Sequence, residues 1–336
     1  MIECHTFNSF VRPDLRNSGP YVLSQFVGGM AAVLFLFLAG VTFAFQMDRL
    51  DRRGASAREK LAAMLRRAGY VVLLAYLFRL NNSVLGWTNH SWRMLFKVDI
   101  LNCMGVSMAL VAVAVLWPAR RRAQAAALAG LTVACASPLM SGLDWSGVPT
   151  LVRDYLVPNR AAFPLFPWSA YLAFGVAAGT VLRRTAPERI EGTLQWAVLA
   201  GFGLVTGGQY FSNVPYSLYR RTEFWLDSPA LVIIRLGLVL VILAGAYLWT
   251  AHVAGRGWSW VQTLGKTSLL VYWVHVLLVY GLLAEPLKKG LDLWQTAAAT
   301  GAVIVLMLLL AVVRLRWGGR ARGKASEPLA VQAPAA

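Results

Sequence analysis

The chain has 336 residues, 58% of them hydrophobic and only 14% charged, with a mean hydropathy of +0.56. That balance excludes a soluble globular domain and predicts an all-α, polytopic integral membrane helix bundle. The formal charge of +17 does not indicate nucleic acid, because the basic residues sit in short loops between apolar spans rather than along one face or tail.

In chain order, MIECHTFNSF reads as the outer half of a first helix whose inner half is absent, so a truncated first helix and an upstream Arg-bearing apolar segment are expected. It lacks the basic start and small-residue cleavage site of a secretory signal. About nine full spans follow, at 27–46, 62–80, 98–117, 123–142, 163–182, 193–212, 230–250, 262–284 and 294–314, each long enough for ~30 Å of hydrocarbon. The spans form one transmembrane domain over 1–317. The basic, then small and Pro-containing stretch 318–336 reads as a disordered tail. Nineteen of the 32 Lys and Arg residues fall on the side that carries this tail and eleven on the other, which makes the C-terminus cytoplasmic.

The outer loops Asn81–Lys97, Ser141–Arg160 and Asn213–Ser228 are rich in Trp, Tyr, Asn, Asp and Arg. They either cover a polar pocket or form the aromatic belt that Trp and Tyr make at any membrane surface. Cys4, Cys103 and Cys135 show neither CxxC nor metal-type spacing, and no metal site is expected. Gly28, Gly29 and Gly40 in FVGGMAAVLFLFLAG let a helix or an acyl chain approach closely.

Candidate chemistry rests on few residues. Of four histidines, His5 and His275 fall in apolar helical stretches, while His90 lies in an outer loop and His252 at a span end. An ionisable group within a span is costly and marks function, with a simple interhelical hydrogen bond as the alternative. Histidine suits a general base near neutral pH and can also accept an acyl group. Arg79 ends one span and Asp99 begins the next, so the hairpin pairs them at similar depth, in a structural or a substrate-binding role. Arg235 lies about a turn and a half into its span, where a guanidinium either holds a phosphate or carboxylate or snorkels to the headgroups. Arg66 and Arg67 at a span start are either a donor-binding pair or a topology signal.

Five stretches, MIECHTFNSF, FVGGMAAVLFLFLAGVTFAF, FKVDILNCMGVSMALV, FPLFPWSAYLAFGVAAG and LGKTSLLVYWVHVLLVYG, together resemble bacterial membrane proteins with the heparan-alpha-glucosaminide N-acetyltransferase catalytic domain. These are relatives of the acyltransferase family 3 enzymes. The resemblance implies transfer of an acyl group, usually acetyl from cytosolic acetyl-CoA, to a sugar hydroxyl or amine of an envelope glycan across the plasma membrane. It puts His5 at the position of the family 3 histidine, although the Arg that precedes that histidine has no counterpart here. The similar lysosomal enzymes carry a reactive His in the first luminal loop, and Thr6 to Gln25 contains none. Direct transfer is therefore expected, with His5 as base, His275 orienting the acceptor or thioester, Arg79, Asp99 and Arg235 at the substrate and Arg66 and Arg67 at the donor. The competing class is a transporter or flippase with a buried His/Arg relay, which would call for inverted repeats with paired broken helices.

Overall fold

Because lipid offers no partner for backbone polar groups, a chain this apolar must satisfy them internally. The computed structural model does so with helices. It describes residues 1–85, 95–160, 162–215, 218–252 and 258–325, with side chains from 1–80, 95–160, 162–215, 218–252 and 258–317. His90 and the end of the tail, 326–336, lie outside the described residues. Among these residues the one β feature is an isolated parallel bridge between Val11 and Leu291.

The helices in chain order are α1 (Ile2–Phe10), α2 (Gly19–Arg52), α3 (Ala57–Leu85), α4 (Ile100–Val111), α5 (Ala119–Gly142), α6 (Thr150–Leu156), α7 (Leu165–Arg184), α8 (Ile190–Ser212), α9 (Pro229–His252), α10 (Trp260–Lys266), α11 (Ser268–Tyr280) and α12 (Leu293–Ala325). Six of them, α2, α3, α5, α7, α9 and α12, are long and apolar enough to cross a bilayer, and α10 with α11 makes a seventh if taken as one broken span. The protein is thus an integral membrane helix bundle.

All nine expected stretches are helical, but three differ from plain spans. Stretch 98–117 holds only the twelve residues of α4 before a 3₁₀ segment, Ala112–Leu116, ends at Trp117 ahead of Pro118. Stretch 193–212 is continuous helix diluted by Thr, Gln and four glycines. Stretch 262–284, expected as one span, is bent by 87° between α10 and α11.

The chain divides into two compact units, Met1–Gly28 with Ala254–Ala336, and Gly29–Val253. In the first, Phe10 of α1 shares a core with Val271 and Val279 of α11, Ala284, and Val303, Met307 and Ala311 of α12. Extended backbone at Val11, ahead of Pro13, stops α1. The Lys289 and Leu291 amides donate to the Ser9 and Phe10 carbonyls, and the Arg12 amide donates to Leu291 O.

In the second unit, small residues let helices cross at backbone contact, as membrane bundles require where burial from water cannot drive packing. A Cβ on Gly40 of α2 would come 2.1 Å from Leu172 O of α7, and one on Gly175 of α7 would come 2.0 Å from Phe37 O of α2. Gly201 of α8 and Gly237 of α9 face each other in the same way. Leu73, Leu128, Leu199, Phe202 and Leu248 point outward and exposed, as lipid-facing positions should. One end of this unit is tied by ion pairs: Asp48 with Arg52 and Arg183, and Asp51 with Lys60 and the buried Arg122. Arg122 also donates to the carbonyls of Ala114, Val115 and Trp117, which closes the 3₁₀ segment.

Candidate functional site

The break that creates α11 falls at Thr267, whose backbone leaves helical geometry with φ −113° and ψ 18°. Ser259 caps α10 by accepting from the Gln262 amide. Eight residues after Ser259, the Thr267 amide donates to Leu264 O at 3.3 Å, a tight closing turn that ends α10, and the Thr267 hydroxyl donates to Thr263 O at 3.0 Å. Thr267 is buried, as irregular backbone at membrane depth must be. A pocket of about 320 Å³ lies along the bend, with Trp260 and Leu264 from α10, Ser268, Val271 and His275 from α11, and Ile304 from α12 among its walls. Met1, Ile2 and Glu3 of the N-terminal segment line it as well.

His275 is fully buried on α11 and meets His5 of α1. His275 Nδ1 lies 2.6 Å from Val271 O, and His275 Nε2 lies 2.9 Å from His5 Nδ1. A carbonyl can only accept, so His275 Nδ1 carries the proton and His275 Nε2 presents a lone pair. His5 must then donate through Nδ1, which leaves His5 Nε2 as the basic nitrogen of the pair. The rings stack at 5.1 Å, and the Tyr280 ring meets His5 edge-on at 5.6 Å.

Hydroxyls fix the helix that carries His5. Thr6 Oγ1 is 2.6 Å from Thr300 Oγ1 of α12, Ser9 donates to Val279 O at 3.0 Å, and Tyr280 donates to Asn8 Oδ1 at 3.3 Å. On the other side of α1, a Cβ at Gly28 would come 2.0 Å from the Cβ of Cys4, so only glycine admits this approach. Sequence reasoning did not single out Val271, Thr6, Thr300, Ser9 or Tyr280. The one usable signal was the four-residue step from Val271 to His275, which puts the carbonyl one turn behind the ring.

The remaining candidates belong to the second unit. Arg79 Nε of α3 is 3.1 Å from Asp99 Oδ2, both side chains nearly buried, although neither atom is aligned for a hydrogen bond. The other Asp99 oxygen accepts from the Leu101 and Asn102 amides, each at 3.0 Å, and Asn102 Oδ1 accepts from the Asp99 amide. The carboxylate therefore caps α4 with one oxygen and holds Arg79 with the other. Asn102 donates to the Tyr155 hydroxyl of α6 at 3.4 Å, and that hydroxyl lies 3.5 Å from Tyr76 of α3. Arg235 of α9 lies with its guanidinium 5.7 Å from the Trp168 ring centre, and has no ion pair among the described residues. Arg66 and Arg67 are exposed on α3. His252 ends α9, exposed.

The family model described as heparan-alpha-glucosaminide N-acetyltransferase, catalytic, matches residues 1–211. His5, Arg66, Arg67, Arg79 and Asp99 fall inside that match, and Arg235 and His275 beyond it. A search of curated proteins finds no match.

Proposed function

The chain belongs to the heparan-alpha-glucosaminide N-acetyltransferase catalytic family, and from that premise we propose that it moves an acetyl group from cytosolic acetyl-CoA to a sugar hydroxyl or amine of an envelope glycan. The observation that carries the reading is the His5–His275 pair, whose partners leave one nitrogen free to act as a base.

In this reading His5 Nε2 removes the acceptor proton as the acceptor oxygen or nitrogen attacks the thioester carbonyl. A C–O or C–N bond forms, the C–S bond breaks, and the thiolate leaves and is then protonated from His5. While His5 is charged, its Nδ1–H bond to His275 becomes charge-assisted and shortens the gap in energy between neutral and protonated base. His275 is thus a positioning residue, held in one tautomer by Val271 O. The pocket beside His275 supports the reading, since its mostly apolar walls give an acyl group a place next to that histidine.

In the second unit we assign Arg66 and Arg67, exposed cations on α3, to the donor's phosphates. Arg79 and Asp99 shape the polar end of α3 and α4 for substrate. The charge asymmetry supports a plasma-membrane protein with its C-terminus in the cytoplasm.

The test is acetyl transfer by the purified full chain, with labelled acetyl-CoA and with or without extracted envelope glycans. The reading requires label on the glycan fraction and faster thioester loss when glycan is present. Acetyl-CoA that neither binds nor turns over under either condition would remove it, and label accumulating on the protein would replace direct transfer by an acyl-enzyme route.

A further inference from the structure

Within the second unit, Arg235 and Tyr171 leave two buried donors without acceptors. Tyr171 of α7 is fully buried, and its hydroxyl has no hydrogen-bond partner. Arg235 Nε of α9 is likewise buried and unpartnered. The two groups are neighbours: the guanidinium acts on the phenol by its charge and by a poorly aligned side-chain contact, which leaves the phenol proton and Arg235 Nε without an acceptor. A buried polar group left unpaired costs about 1–3 kcal/mol, and more when charged, so two side by side call for an acceptor that arrives from outside the chain.

The surroundings define that acceptor. The guanidinium lies over the face of Trp168, which sits edge-on to Tyr171 at 6.0 Å and to Phe163 at 4.8 Å, so one wall is a fixed aromatic row. On α2, a Cβ at Gly29 would come within 3.8 Å of Arg235 Nη2, so glycine keeps bulk away from the charge. Arg235 and Tyr171 each lie six residues into their helices, about 9 Å from the helix starts, so the pair sits nearer one end of α7 and α9 than their middle. Snorkelling would carry the whole guanidinium toward solvent, whereas here its Nε is sealed and its plane is held on an indole.

We propose that Arg235 and Tyr171 form a binding site for a phosphate group, borne either by a lipid or by a soluble ligand. A tetrahedral phosphate offers three oxygens, enough to accept from the guanidinium fork and the phenol together. The site stands independently of acetyl transfer, because it is argued from binding geometry alone.

The experiment uses the full chain in phosphate-free detergent. Inorganic pyrophosphate is titrated by calorimetry, dioleoyl phosphatidate is scored by native mass spectrometry, and laurate serves as a carboxylate comparison. Saturable one-site binding of either phosphate probe is expected, and the probe that binds identifies the source. Arg235→Gln should weaken that binding by about tenfold or more, Arg235→Lys less, and the nearly isosteric Tyr171→Phe by several-fold. Arg220→Gln, at an exposed arginine, should leave it unchanged. If Arg235→Gln fails to fold, Tyr171→Phe decides. Absence of binding by both phosphate probes, binding of laurate in their place, or variants that match wild type would overturn the proposal.

Discussion

His275 donates through Nδ1 to the carbonyl of Val271, one turn back on the same helix, and this bond decides which nitrogen of His5 is basic. Had Val271 O been out of reach, either tautomer of the pair would serve. Nitrogen-15 spectra of labelled protein check it directly, since only four histidines contribute and single substitutions assign them. Both His5 and His275 should show a protonated Nδ1 and an unprotonated Nε2 at neutral pH. A protonated Nε2 on neutral His5 would reverse the relay and take the base away from the position assigned to it.

Asp99 serves two purposes with separate oxygens, so two substitutions separate them. Asp99→Asn can still cap α4 but leaves Arg79 without a counter-charge, which typically costs about 3–5 kcal/mol when a buried pair is broken. Asp99→Ala loses the cap as well, worth a further ~1 kcal/mol. Thermal unfolding in detergent should therefore rank wild type above Asn above Ala, with the larger step first. Equal melting of wild type and Asp99→Asn would mean that Arg79 gains nothing from the carboxylate.

Gly175 of α7 stands where any Cβ would collide with Phe37 O of α2 at 2.0 Å, a backbone atom that cannot swing away. Gly175→Ala should push α2 and α7 apart at a cost of about 1–3 kcal/mol, as overpacking usually does. Gly203→Ala, on α8 with open space around it, should cost nothing and can gain helix propensity. A melting comparison of the two variants settles the point, and similar behaviour would mean the α2–α7 crossing is looser than described.

Much of this architecture was legible because apolar length is a strong signal: all nine stretches expected from hydropathy are helical. The break at Thr267 was missed, since LGKTSLLVYWVHVLLVYG carries no proline and the polar run Gly265–Ser268, where the bend falls, sits inside a stretch whose average is still apolar enough to span. At the bend the Thr267 backbone leaves helical geometry, with φ −113° and ψ 18°, and hydropathy does not register a backbone dihedral. Arg79 and Asp99 were paired in advance because they flank one hairpin. His5 and His275 are 270 positions apart, and what put them within reach of each other was that both fall in apolar helical stretches at depths that could share one central cavity. The neighbours of Arg235 were out of reach, because Trp168 and Tyr171 look like any aromatic residues at a span start until α7 and α9 are seen side by side.

The central claim is that His5 is the base for acetyl transfer, and single-turnover transfer by His5→Ala tests it most directly. Loss of a general base lowers rate by ~10²–10⁴, whereas loss of one interhelical hydrogen bond costs only about 1 kcal/mol of stability. His5→Ala should accumulate in the membrane and melt within a few degrees of wild type, yet transfer label at least about a hundredfold more slowly. His275→Ala should be slowed less, and His252→Ala and His90→Ala should keep most activity. Retention of more than about a tenth of wild-type turnover by His5→Ala, at matched protein level, would contradict the account.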